Sequence, residues 1–275
     1  MTVQEKPDLK LALVQTDLFW KDQIANLAML EEIIMNLQEK VDLIVLPEMF
    51  STGFTMDAEE VAEPMNFFTS RWLRQLSAQT GAVLTGSIVI KEGGHFYNRL
   101  LWVEPSGKFS KYDKRHLFRM AQEDHHYSMG TERVVFEWKG WRIFPQICYD
   151  LRFPVWSRNR VINDELEYDM LFYVASWPHP RIQAWDILLQ ARAVENLSYA
   201  VGVNRVGQDG NGIPYSGHSA AYNFKGERMA YAENEETILY VSLKYEELKL
   251  YREKFPAWRD ADHFDLKGSH GIENS

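Results

Sequence analysis

Short apolar runs alternate along this chain with longer stretches whose apolar residues recur every three or four positions. The runs suit strands buried on both faces, and the periodic stretches suit helices packed on them. Leu9-Lys-Leu-Ala-Leu-Val-Gln-Thr16 reads as a first strand. Asp22 is placed to N-cap a helix running to about residue 40, with Ile24, Leu27, Leu30, Ile33, Ile34 and Leu37 on one face. Val41-Asp-Leu-Ile-Val-Leu46 is the next strand. It leads to the loop Ser51-Thr-Gly-Phe-Thr-Met56, whose Gly53 and aromatic residue could line a small pocket. Pro64 opens a helix to about residue 80 with Phe67, Phe68, Trp72, Leu73 and Leu76 as its apolar side.

Hairpin strands follow over residues 82–90, 96–103 and 109–113, separated by Gly93-Gly94 and Pro105-Ser-Gly107 turns. A long polar loop, 115–131, breaks the pattern, and loops of this length inside compact domains are often functional. Trp141-Arg-Ile-Phe-Pro-Gln-Ile147 is a strand, and Pro154 starts a helical turn. A strand over 168–175 precedes a helix over 181–196, on which Trp185, Leu188, Leu189 and Ala193 share a side and Glu195 is a candidate buried acid. Strands at 198–206, 219–224, 227–232 and 237–242 and a helix at 245–254 complete the pattern, with a turn at 207–212 and a polar, extended tail over 259–275. Without repeats, linkers or low-complexity segments, residues 1–275 read as one α/β domain with a mixed sheet.

Composition narrows the classes. With 275 residues, 45% hydrophobic and 25% charged, the chain can build a sizeable core. A net charge of -9 with scattered lysines argues against a nucleic-acid partner. No apolar run reaches the roughly 20 residues that span a bilayer, and the first residues lack a signal-peptide core. A single cysteine cannot close an internal disulfide, so a cytoplasmic location without membrane association is expected.

That cysteine, Cys148, stands between the strand ending at Ile147 and the helical turn opened by Pro154. A lone cysteine at a strand end usually packs as a small hydrophobe. At this junction, however, free backbone amides could face a developing oxyanion. Two other strand ends carry complementary groups. Glu48 follows the 41–46 run directly, where poor solvation would raise its pKa toward that of a general base. Lys114 ends the 109–113 strand. Ends of parallel strands are where open α/β sheets build their sites.

Around these residues the chain is similar to a known family. Leu46-Pro-Glu-Met-Phe50, Tyr112-Asp-Lys-Arg-His-Leu-Phe118 and Cys148-Tyr-Asp-Leu-Arg-Phe-Pro154 resemble the Glu, Lys and Cys motifs of the nitrilase superfamily of carbon-nitrogen hydrolases. The likeness extends through Ala175-Ser-Trp-Pro178, Ala191-Arg-Ala-Val-Glu-Asn196, Val203-Asn-Arg-Val-Gly207 and Gly217-His-Ser219, and covers Leu11 to about Ser242. The continuation after the cysteine is most similar to the ω-amidase branch, which hydrolyses the terminal amide of short 2-oxo dicarboxylic acid monoamides such as 2-oxoglutaramate and 2-oxosuccinamate. The resemblance implies an α-β-β-α sandwich of two mixed sheets with helices on both outer faces, usually a homodimer. It implies Cys148 as nucleophile, Glu48 as base and acid, and Lys114 with the Tyr149 backbone amide as oxyanion stabilisers. Glu123 matches the family's second, positioning glutamate. Met129 and Thr131 depart from the Pro and Asp usual around that loop's Gly130. No cofactor or metal is required. For a carboxylate-bearing small-molecule substrate, Arg152 is a candidate anchor and Trp177 a candidate pocket wall.

Other readings stay open on the residues alone. Another small-amide or nitrile hydrolase would use the same groups. A Cys-His pairing could draw on any of eight histidines. A metal site at Glu123, Asp124, His125 and His126 lacks zinc-type spacing. A catalytically silent binding or scaffold protein would have no use for the Glu, Lys and Cys together.

Overall fold

The computed structural model describes residues 6–262 and 264–266. Two sheets form its centre. The first runs in the order Thr237–Leu243, Leu9–Gln15, Leu43–Val45, Val83–Glu92, His95–Val103 and Phe109–Asp113, with Glu63–Pro64 added against Val83–Glu92. Its three central strands are parallel and its flanks antiparallel. The second runs Arg228–Tyr231, Ala220–Tyr222, Tyr199–Asn204, Met170–Ala175, Trp141–Ile147 and Phe136–Trp138. Here too three parallel strands sit between antiparallel flanks.

Strand alternation sends successive residues to opposite faces. Leu9, Leu11, Leu13, Leu43 and Val45 point toward the second sheet, whereas Ala12, Val14 and Ile44 point outward. Trp102 crosses the interior to meet Phe172 of the other sheet, with ring centroids 6.3 Å apart. The outer face of the first sheet is covered by helices Gln23–Met35, through Leu27, Leu30 and Ile34, and Phe68–Thr80, through Trp72, Leu73 and Leu76. Helix Ile182–Asn196 covers the second sheet so closely that a Cβ on Gly202 would stand 2.5 Å from Trp185 and 2.6 Å from Leu189. The architecture is therefore an α-β-β-α sandwich of two mixed sheets. No helix among the described residues is long and apolar enough to cross a membrane.

Several local expectations are corrected. The first helix is N-capped by Asp22, whose carboxylate accepts from the Ala25 amide at 3.0 Å, but it stops at Met35, not near residue 40. The Asn36 side chain takes the Glu32 carbonyl there and closes the last turn. Ile24 is exposed, and buried Asn26 occupies the inward face, bonded to the carbonyls of Phe19 and Ser51. Pro64 does not open a helix. It lies in a short strand, and the helix starts at Phe68, where the Glu63 carboxylate accepts from the Thr69 amide and acts as a remote cap. That shift leaves Phe67 and Phe68 exposed. The 198–206 strand is two, Tyr199–Asn204 and Val206–Gln208, the latter forming a hairpin with Pro214–Ser216 that takes in part of the expected turn. Glu195 is only half-buried, and the buried member of its ion pair is Arg192. A turn over Ala257–Asp260 takes in the first two residues of the expected extended tail, while 263 and 267–275 lie outside the described residues.

Candidate active site

The carboxyl ends of strands from both sheets meet, and the three expected residues meet with them. Glu48 follows Leu43–Val45, Lys114 ends Phe109–Asp113, and Cys148 follows Trp141–Ile147. Glu48 is fully buried. Its Oε1 accepts from Lys114 Nζ at 2.8 Å and from Asn98 Nδ2 at 2.8 Å, and its Oε2 accepts from the Ser176 amide at 2.8 Å. The last contact joins the sheets, because Ser176 follows the second-sheet strand Met170–Ala175.

Glu123 arrives from the 115–131 loop, which folds into turn Arg119–Ala121 and helix Glu123–His126. Both its carboxylate oxygens accept from Lys114 Nζ at 2.9 Å, and Oε2 also takes the Phe118 amide at 2.6 Å. Asn98 Nδ2 reaches it at 3.4 Å, so one amide lies between the two glutamates. Despite Met129 and Thr131, the loop returns tightly. The Gly130 amide donates to the Lys114 carbonyl at 2.8 Å, and a Cβ there would stand 2.1 Å from the Asp113 carbonyl oxygen, so glycine is required by contact.

Electrostatics follow from this enclosure. Burial opposes the charge on Lys114, but the carboxylates of Glu123 and Glu48 more than offset it and hold its pKa above the ordinary lysine value. Burial also raises the pKa of Glu123, Lys114 pulls against that, and Glu48 adds to it. Two buried carboxylates thus share one ammonium.

Cys148 sits beside this network with its backbone in the left-handed region, at φ 44°. The bend is held by Asp150. Its Oδ2 accepts from the Ile147 amide at 3.0 Å and the Tyr112 hydroxyl at 2.8 Å, while Oδ1 takes the His116 amide at 2.9 Å. From behind, Arg192 Nη2 grips the Leu151 carbonyl at 2.6 Å, which explains the arginine of the 191–196 motif. Burial is the main force pushing the thiol pKa up, followed by the charge of Glu48. Lys114 acts the other way, and a hydrogen bond to Glu48 adds to the rise. The resting sulfur is a thiol beside a carboxylate and an ammonium.

A narrow cavity opens onto Cys148, lined by Phe54, Lys114, Phe118, Tyr149, Arg152, Trp177, Pro178 and Arg181. Tyr149, Arg152 and Trp177 are thus brought together as expected, and Phe54 comes from the anticipated 51–56 loop. Trp177 is fixed by Asn204, whose Oδ1 accepts from the Trp177 amide at 2.7 Å and whose Nδ2 donates to its carbonyl at 3.0 Å. Arg152 is exposed at the rim, its guanidinium 5.0 Å from the Trp177 ring centre. Among the described residues no histidine lines the cavity. His116 is instead paired with Asp150 at 2.7 Å and stacked on Phe153. Among the described residues no three His, Cys, Asp or Glu side chains are grouped to hold a metal.

Reasoning from sequence missed Asn98, the Ser176 amide, Phe118 and Arg181. Asn98 lies beside Arg99 in a strand of mixed polarity, and Phe118 and Ser176 stand within the motifs quoted above, but no local pattern marks which of their groups face the site.

Comparison with known proteins agrees with this geometry. The carbon-nitrogen hydrolase family model matches residues 10–253. The chain is 49% identical over 259 residues to Omega-amidase YafV of Yersinia enterocolitica, covering 94% of this chain and 98% of that protein. It is 29% identical over 253 residues to 2-oxoglutaramate amidase of Bacillus subtilis, covering 91% and 96%. The crystal structure of XC1258 from Xanthomonas campestris, described as a CN-hydrolase superfamily protein with an arsenic adduct in the active site, superposes with a TM-score of 0.93. It is 42% identical, with 95% of this chain and 100% of that chain covered. With the sandwich, the buried Glu-Lys-Glu network and these matches together, the chain belongs to the carbon-nitrogen hydrolase family and is a hydrolase of carbon-nitrogen bonds other than peptide bonds.

Proposed function

We propose that this protein is an amidase that hydrolyses the terminal amide of short 2-oxo dicarboxylic acid monoamides, 2-oxoglutaramate and 2-oxosuccinamate, through a Cys148 thioester. The observation that carries the chemistry is the thiol beside Glu48 and Lys114, with its pKa pushed up, at the floor of a narrow cavity. A protonated thiol needs a base at the moment of attack, and Glu48 lies close enough to shift its pKa. Glu48 takes the thiol proton as the sulfur bonds to the amide carbon, and charge develops on the amide oxygen. Lys114 and the Tyr149 amide, one of the orphan N–H groups at the start of turn Cys148–Arg152, receive that charge. The carbon-nitrogen bond then breaks, and the nitrogen leaves as ammonia with the proton held by Glu48. Water, deprotonated by Glu48, adds to the thioester carbonyl. The carbon-sulfur bond breaks, the acid departs and the thiol is restored. Glu123 acts on Lys114 from the far side and keeps its ammonium aimed at the reacting carbon.

The substrate class is supported by the rim. Arg152 carries a guanidinium with no carboxylate partner among the described residues, suited to the carboxylate at the far end of a short monoamide. The names of the relatives, Omega-amidase and 2-oxoglutaramate amidase, support the same class. The test is ammonia release from 2-oxoglutaramate, 2-oxosuccinamate, glutamine, asparagine and a simple nitrile by wild type and Cys148→Ala. The 2-oxo amides should be turned over fastest, and the variant should be inactive. Preference for another amide or for the nitrile would overturn the substrate assignment, and activity in the variant would overturn the thioester.

A further inference from the structure

We propose that Arg181 is a specificity-determining residue. With Arg152 it forms a two-guanidinium clamp that holds the 2-oxo acid end of the substrate and rejects the corresponding 2-amino acid amide. The proposal rests on the 2-oxo monoamide reading above and adds what selects within it.

The charged side chains lining the cavity are Lys114, Arg152 and Arg181, all cationic, and no Asp or Glu lines it. In a chain of net charge -9, the buried arginines Arg99, Arg192 and Arg205 each pair with a carboxylate. Among the described residues, neither Arg152 nor Arg181 does. Each lies instead on an aromatic wall of the same cavity. Arg152 is over Trp177, and Arg181 is 5.4 Å from the Phe118 ring centre. Stacking of this kind fixes the guanidinium plane and leaves its edge donors free for a ligand. The polar side-chain contact of Arg181 is Nη2 to Met120 Sδ at 2.7 Å, and a thioether is a weak acceptor that carries no charge.

The helix offers no structural reason for an arginine here. Arg181 occupies the N-cap position of Ile182–Asn196, and no acidic residue lies in the first turn. A cation at this end opposes the helix dipole, where Ser, Thr, Asp or Asn would cap better.

The chemistry of the ligand explains why two cations are needed. A 2-oxo acid end presents a carboxylate and an adjacent carbonyl oxygen, which are coplanar acceptors with no donor among them. One guanidinium takes the carboxylate bidentately, and the second bridges the keto oxygen and the nearer carboxylate oxygen. Glutamine carries an ammonium where the keto oxygen would be. It would face two guanidiniums, with no carboxylate on the wall to receive it, and would lose the bridging bonds.

The experiment measures kcat and KM for 2-oxoglutaramate, glutamine and the neutral butyramide in wild type, Arg181→Gln and Arg181→Lys. In Arg181→Gln, KM for 2-oxoglutaramate should rise roughly tenfold, kcat should change less, and the 2-oxoglutaramate to glutamine ratio of kcat/KM should fall by about the same factor. Butyramide should be affected least, and Arg181→Lys should recover part of the loss. As a readout independent of turnover, labelling of Cys148 by iodoacetate relative to iodoacetamide should fall in Arg181→Gln. Wild type inactive on 2-oxoglutaramate would overturn the substrate reading and this proposal together. An active wild type would overturn the role of Arg181 alone if the variant kept an unchanged substrate ratio, lost all three activities alike, or kept an unchanged labelling ratio.

Discussion

At the scale of single residues, the surroundings of Cys148 favour its thiol form. Burial pushes the Cys148 thiol up, and the charge of Glu48 adds to that push while Lys114 opposes it. Replacing Glu48 with Gln removes the anion that disfavours the thiolate and also removes the base. The two consequences diverge. Amide hydrolysis should fall by about 10²- to 10⁴-fold, whereas the pH midpoint for iodoacetamide labelling of Cys148 should move down. Labelling followed by mass spectrometry from pH 6 to 10 checks this, and a midpoint that rises would exclude Glu48 as the neighbour setting thiol acidity. Lys114 is held differently, because its ammonium is locked by two carboxylates that favour its charged form.

At the scale of elements, the turn after Trp141–Ile147 gives Cys148, the proposed nucleophile, its exposure to the cavity at a conformational cost. A non-glycine residue at φ 44° costs roughly 1 kcal/mol or more, and Asp150 and Arg192 hold the segment there. Cys148→Gly should therefore melt above Cys148→Ala, by about 1 kcal/mol in stability, although both lack the nucleophile. Differential scanning calorimetry of the two inactive variants decides the point. Equal melting would mean that the bend carries no strain. The bend was legible as a strand-to-helix junction from Ile147 and Pro154. Its sign of φ and its dependence on Asp150 were not, because the carboxylate is held in place by Tyr112 and His116 from another strand and loop.

At the scale of the whole molecule, Asp169 ties Lys6, before the first strand, and Arg252, on helix Tyr245–Lys254, to the second sheet. Its buried carboxylate accepts from Lys6 at 3.1 Å, Arg252 at 2.9 Å and Arg142 at 3.3 Å. Burial works to raise its pKa, but the three cations win and hold it below the ordinary value of 3.8. A carboxylate depressed on folding contributes stability that is present above its unfolded pKa and is lost as pH falls through the folded one. Asp169→Asn should cost about 3 kcal/mol at pH 7, and the gap to wild type should begin to narrow as pH falls below about 4 and keep narrowing toward the depressed folded pKa. Urea unfolding at pH 7, 5 and 3.5 measures this, and a gap that stayed constant with pH would refute the linkage.

Periodicity and strand-end placement were enough to locate Glu48, Lys114, Cys148 and most elements, because alternation, apolar runs and flanking Pro and Gly are local properties of the chain. They failed where a choice depended on a distant neighbour. Ile24, Phe67 and Phe68 have helical spacing yet face solvent, since spacing defines a stripe but not which residues of it the sheet covers. The contact from Ser176 to Glu48 spans 128 residues, and that from Asn98 to Glu48 spans 50. No short-range pattern encodes such meetings. The Glu, Lys and Cys at three strand ends and their order were therefore written in the chain, whereas the shared ammonium, the left-handed thiol and the doubly cationic rim arose when two sheets packed face to face and brought their strand ends into one low-dielectric space.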